Sequence, residues 1–164
     1  MSEKKNDQLI TSKMFFPSSR SRHTTCYQND ILYLFGGGGS YKIFDDLWCL
    51  DTKLWTWSKP KTSGDQPSAR WGHSMTLIEN KIYIFGGGGN QQNKMLNDLF
   101  EIDITTLIWK KVELSTKYAI PSPRAAHTAT SIAFKYLLLL FGGDNTRFLG
   151  DLFIISMGIT LLVK

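Results

Sequence analysis

The chain has 164 residues, 42% of them hydrophobic and 20% charged, a globular balance that excludes wholesale disorder. Its 13% aromatic content and 14 glycines, against five prolines, favour β-strands separated by glycine turns. The formal charge of +5 does not gather into a run, so charge alone gives no case for nucleic acid, and the two cysteines, Cys26 and Cys49, lack the spacing of a zinc or redox motif and are too few for a disulfide framework.

In chain order, residues 1–16 form a polar tail in which Met1 to Ser12 lacks the apolar run of a secretory signal, and no Asn-x-Ser/Thr acceptor follows anywhere. A cytoplasmic protein is expected. Leu9, Ile10, Met14, Phe15 and Phe16 give that tail the makings of a lone outer strand. The longest apolar stretch, Tyr136 to Phe141, falls well short of the ~20 residues of a membrane helix, so no membrane span is expected.

From Pro17 onward three signals recur in a fixed order. Arg-x-x-His comes first, as Arg20/His23, Arg70/His73 and Arg124/His127. An apolar run then closes on a glycine pair: ILYLF before Gly36 and Gly37, KIYIF before Gly86 and Gly87, and YLLLLF before Gly142 and Gly143. An Asp-Leu-aromatic triplet follows a polar loop, at Asp46/Trp48, Asp98/Phe100 and Asp151/Phe153. In the first two copies Trp57 and Trp109 come nine residues after that aromatic.

Each copy reads as four strands. Strand a follows the histidine (23–28, 73–79, 127–133), strand b runs into the glycines, strand c carries the triplet, and strand d carries the tryptophan (55–59, 108–112). Repeats are placed at 17–66, 67–120 and 121–156, with 157–164 as a divergent tail. The third is incomplete, because Leu162 stands where the spacing predicts a tryptophan and strand d is absent or improvised.

The glycine pairs, the aromatic and tryptophan nine apart, and the Arg-x-x-His before the next strand resemble the kelch repeat family over roughly residues 17–156. The resemblance implies an all-β fold of four-stranded antiparallel blades. Three blades fall short of the ~4–8 of a closed propeller, so the ring is incomplete or open, or a homodimer completes it. It also implies an adaptor that binds a protein partner, with no cofactor. The alternative it carries is a fragment or relative of a kelch-propeller enzyme, such as a galactose-oxidase-like copper oxidase, or a propeller joined to a separate catalytic domain.

The chemistry-bearing residues all have structural readings. The glycine runs lack the Lys-Ser/Thr and helix of a phosphate loop. The histidines recur once per blade, which suits hydrogen-bonded structural positions better than one metal site, and the arginines recur with Asp46, Asp98 and Asp151 as ion pairs. Antiparallel strands place the b–c and d–a connections at one end of the blades, and these are the long ones. Partner binding is expected there. Those loops hold Lys42, Lys59, Lys61, Lys94, Lys110, Lys111, Lys117 and Arg147 against Asp65, Glu113 and Asp144, which favours an acidic partner surface. Tyr41, Phe44, Met95, Tyr118, Ile120 and Phe148 are the candidate apolar anchors.

Overall fold

The computed structural model describes residues 15–89, 94–114, 119–156 and 159–163. Its elements are fourteen strands in three sheets. The first sheet holds β1 (Thr24–Gln28), β2 (Ile31–Phe35), β3 (Leu47–Asp51) and β4 (Thr56–Ser58) in that order, all antiparallel. The β1–β2 turn is Asn29-Asp30, with both residues left-handed (φ 50° and 64°), a two-residue hairpin that matches the strand twist.

The second sheet repeats this plan with β7 (Ser74–Ile78), β8 (Lys81–Gly89), β9 (Met95–Asp103) and β10 (Ile108–Val112). Two short strands are added to it. β5 (Ser63–Gly64), from the connection after the first blade, runs parallel to β10 on the outer edge, and β6 (Arg70–Trp71) pairs with the glycine end of β8. The third sheet holds β11 (Thr128–Ile132), β12 (Tyr136–Leu140), β13 (Leu152–Ser156) and β14 (Ile159–Val163).

The third blade therefore has its fourth strand, where the sequence led us to expect one absent or improvised. Chain spacing from the aromatic misplaces the tryptophan position because the c–d turn is shorter here. Asp51 pairs with Thr56 and Asp103 with Ile108, whereas Ser156 already pairs with Ile159. Thr160, opposite Ile155, thus holds the register position of Trp57 opposite Leu50 and Trp109 opposite Ile102. Leu162 lies opposite Phe153 instead. In the tail, Leu9, Ile10 and Met14 lie outside the described residues. Phe15 and Phe16 belong to no strand, and Phe15 packs its ring 4.9 Å from that of Trp48.

The blades are held face to face by two apolar clusters. Tyr33, Phe35 and Leu47 of the first blade meet Ile82, Ile84, Phe100, Ile102 and Trp109 of the second. Tyr83, Phe85 and Leu99 of the second meet Leu137, Leu139, Phe153 and Ile155 of the third. Strand b is apolar nearly throughout because its two faces serve different neighbours. Trp109 is 1% exposed with its ring 5.4 Å from that of Phe35, so this tryptophan fills the gap between blades.

In the first two blades the two glycines of the pair answer to different blades. A Cβ on Gly36 or Gly86 would lie 2.8 Å from the carbonyl oxygen of Arg70 or Arg124 in the next blade. A Cβ on Gly37 or Gly87 would lie 2.8–2.9 Å from the histidine Cβ of its own blade. All four have φ between 62° and 97°. Gly86→Ala is expected to lose about 2–4 kcal/mol of stability in chemical denaturation, from the left-handed backbone and the backbone collision together. Gly38→Ala, whose Cβ meets nothing within 4 Å, is expected to change stability little.

Candidate functional site

The Arg-x-x-His segment leads each inner strand to the loop end of the blades, and its arginine braces its own blade. Arg20, Arg70 and Arg124 hold Asp46, Asp98 and Asp151 through Nη1 at 2.6, 2.7 and 2.5 Å, and through Nη2 at 3.2, 3.2 and 2.8 Å. Each Nη1 also donates to a carbonyl at 3.0 Å, those of Gly36, Gly86 and Phe141. Burial alone would raise the Asp46 carboxyl, but hydrogen bonds from Arg20 and Trp48 hold it below the usual range, and the bond from Arg124 does the same for Asp151. The arginine backbone meanwhile reaches the preceding blade: Arg70 N–H donates to the Phe44 carbonyl at 3.1 Å and its carbonyl accepts from Gly37 at 2.9 Å. Arg124 repeats this with Leu96 and Gly87 at 3.0 and 2.8 Å.

The histidines tie neighbouring blades. His73 Nε2 lies 2.6 Å from the Thr24 hydroxyl, and His127 Nε2 lies 2.9 Å from the Ser74 hydroxyl. Burial, followed by the nearby arginine of the same segment, pushes their pKa values down to about 3 and about 4. His23 is exposed and makes no hydrogen bond among the described residues. The two buried imidazoles thus sit at separate hydroxyls, and among the described residues no cluster of His, Cys, Asp and Glu suits a metal.

Where the inner strands of the three blades start, the loop end opens into a cavity of about 760 Å³. Trp71, Met95, Phe141 and Phe148 give the cavity apolar walls, and Arg22 and Asp144 also line it. The Arg22 guanidinium lies 4.7 Å from the centre of a Trp71 ring, a cation–π contact on the cavity wall. Arg22, Gly72 and Ala126, each preceding the histidine, share a left-handed backbone (φ 55°, 63° and 54°). They are linked in series, Gly72 N–H to the Arg22 carbonyl at 2.9 Å and Ala126 N–H to the Gly72 carbonyl at 2.8 Å.

The b–c loops share a motif that their unequal lengths conceal. Gly39, Gly89 and Asp144 each donate an N–H to the carbonyl of a basic residue, Lys42, Lys94 and Arg147, at 2.8, 2.9 and 3.1 Å. The residue after it is large and apolar, Ile43, Met95 or Phe148, and pairs with Gly38, Gly88 or Gly143. Each blade therefore presents a cation followed by an apolar side chain at the same place on the loop end.

The other sequence candidates are distributed more widely. Met95 and Phe148 line the cavity, and Tyr41 and Phe148 are fully exposed at their loops. Phe44 is 6% exposed, because the Arg20 guanidinium lies 3.8 Å over its ring, so it is core rather than an anchor. Lys110 and Lys111 belong to β10 rather than a loop, and Lys111 lies 3.6 Å from Glu113. Lys59 lies 3.8 Å from Asp46, Lys61 and Ile120 are exposed, and exposed Asp45 adds another acid to the first b–c loop. Lys117 and Tyr118 lie outside the described residues. Arg22, Trp71 and Phe141 were not singled out from sequence, and Asp144 was counted only as a loop acid; the only signal for Arg22 and Trp71 was their closeness to the recurring histidine.

Comparison with known proteins gives the same architecture. A family profile described as the KLHDC2/KLHL20/DRC7 Kelch-repeats domain matches residues 2–159. Host cell factor of Drosophila melanogaster is 38% identical over 161 residues, covering 87% of this chain and 11% of that protein. Human leucine-zipper-like transcriptional regulator 1 is 32% identical over 148 residues, covering 87% of this chain and 17% of that protein. Acyl-CoA-binding domain-containing protein 4 of Arabidopsis thaliana is 30% identical over 202 residues, covering 86% of this chain and 30% of that protein. The chain thus spans under a third of the length of these relatives. With the Arg-x-x-His segments, the glycine pairs and the Arg–Asp braces in place, the chain belongs to the kelch-repeat family, and its described residues form three propeller blades.

Proposed function

We propose that the chain is a protein-interaction module, and that it holds its partner at the loop end, against the cavity that the three blades line. The observation that carries this reading is the basic–apolar pair repeated in all three b–c loops, two of whose apolar members, Met95 and Phe148, also form the cavity wall. The exposed Phe148 and the half-buried Ile43 and Met95, each beside a cation, suit a partner segment with a large apolar residue flanked by Asp or Glu. Arg22, over the Trp71 ring, adds a cation that lines the same space. The half-buried thiols of Cys26 and Cys49 are pushed up to about 12 and about 11 chiefly by burial, which makes them unreactive packing residues. No helix among the described residues is long and apolar enough to cross a membrane.

A displayed random-peptide library panned on the chain tests the reading. Enriched peptides are expected to pair a large apolar residue with acidic neighbours, and to lose at least tenfold in affinity when Lys94→Glu and Arg147→Glu are combined. Enrichment of basic or purely apolar peptides, or unchanged binding to the charge-reversed chain, would count against it.

A further inference from the structure

We propose that strand β12 has two pairings one residue apart, and that the pairing not adopted here receives the first blade of a second copy of this chain. In the first two blades the residue opposite the start of strand a is a phenylalanine, Phe35 with Thr24 and Phe85 with Ser74, and the glycine pair follows it. In the third blade Leu140 is opposite Thr128, so the pair is displaced by one. Phe141 holds the place of Gly36 and Gly86, with a left-handed φ of 58° and 55% exposure. Gly142 holds the place of Gly37 and Gly87, with φ 88° and its Cβ position 2.7 Å from the His127 Cβ.

At Gly36 and Gly86 the next blade comes closest, its arginine carbonyl 2.8 Å and its histidine ring 2.9–3.2 Å from where a Cβ would stand. The Phe141 side chain therefore bars another blade of this kind in the observed pairing. A shift of β12 by one residue removes the bar. Phe141 then takes the place of Phe35 and Phe85, while Gly142 and Gly143 take the places of the other glycine pairs.

The shift asks little of the core. A one-residue slip exchanges the two faces of a strand, which is normally prohibitive. Here residues 137–140 are all leucine, so Leu138 and Leu140 replace Leu137 and Leu139 against the second blade. The slip also returns a phenylalanine from left-handed to extended backbone. The observed pairing is held by its b–c loop, since Leu140 to Leu152 spans the same length as Phe35 to Leu47 in the first blade.

Complementarity selects the occupant. His73 and His127 each meet a hydroxyl of the preceding blade and stand edge-on to its phenylalanine, with ring centres 5.6 Å from Phe35 and 5.4 Å from Phe85. Thr128 is the corresponding hydroxyl of the third blade, and it makes no hydrogen bond among the described residues. His23, exposed on the first blade, is the corresponding imidazole. The two free halves of the blade contact thus stand at opposite ends of one chain.

Two disulfide-locked chains test this in a Cys26→Ala, Cys49→Ala background. T130C with L138C traps the observed register and T130C with L139C the shifted one. Both pairs are expected to oxidise in folded protein. In light scattering the shifted lock should have at least twice the mass of one chain, reverting with His23→Ala, while the observed lock stays at the mass of one. Failure of T130C/L139C to oxidise, equal masses for both locks, or association that survives His23→Ala would overturn the proposal. On the unsubstituted chain, the amide resonances of residues 138–142 should double as concentration rises, with Thr128–Phe141 contacts in the second set. A single set carrying only Thr128–Leu140 contacts at every concentration would also overturn it.

Discussion

Arg70→Met is expected to lower the unfolding free energy by about 3–5 kcal/mol in chemical denaturation, the usual penalty for stranding one partner of a buried charge pair. The Arg70 side chain is fully buried, and Asp98 is a quarter exposed. Besides Asp98, the guanidinium satisfies the carbonyls of Ser68 and Gly86, so the substitution orphans several acceptors at once. Arg70→Lys should recover only part of the loss, because an ammonium cannot reproduce the fork that spans both carboxylate oxygens and a carbonyl. Replacing both members, Arg70→Met with Asp98→Leu, should be less damaging than the single change. A loss below about 1 kcal/mol for Arg70→Met would show that water reaches the pair and that the blade is not braced there.

The second large effect is acid lability that sets in well above the carboxylate range. The folded pKa values of His73 and His127 lie at about 3 and about 4, below the ordinary 6.5, so over that interval the unfolded chain binds the extra protons. Stability is full above the unfolded pKa and falls with decreasing pH by about 1.4 kcal/mol per unit for each histidine. From pH 6.5 to 4.5 the two together remove about 5 kcal/mol, comparable to the whole stability of a small domain. Asp46 and Asp151 have lowered folded pKa values, so their contribution is present above the ordinary carboxylate pKa and is lost only below it, outside this window. Denaturation curves across pH 4.5–7.5 should show the slope, and His127→Gln should reduce it by about half. A flat profile would mean that the imidazoles reach solvent and the blades separate readily.

The strands and blades were legible because each carries a redundant signal. Alternation, glycine pairs and Arg-x-x-His agree in the first two copies, and β1, β2, β7, β8 and β10 begin and end within a few residues of their expected places. The third blade was misread where length changed inside the repeat. A shorter c–d turn moved the tryptophan position from Leu162 to Thr160, and a longer a–b turn moved the glycine pair by one. Spacing counted along the chain cannot report a register, which is fixed across strands. The binding surface was the least legible part. Loop membership identified Lys42, Lys94, Met95, Arg147 and Phe148, but their equivalence lies in backbone bonds between loops of unequal length. Arg22 and Ala126 adopt left-handed backbone without being glycine, a placement imposed by the neighbouring blade that no local propensity announces.

Two ends of the blades are open to a partner, the long loops and the short a–b turns. A photo-crosslinking residue at Phe148, on the loop end, and another at Asn80, in the opposite a–b turn, decide between them with any peptide enriched from the displayed library. Crosslinks from position 148 and none from position 80 are the predicted result. Crosslinks from position 80 alone would place recognition on the short turns and contradict the account.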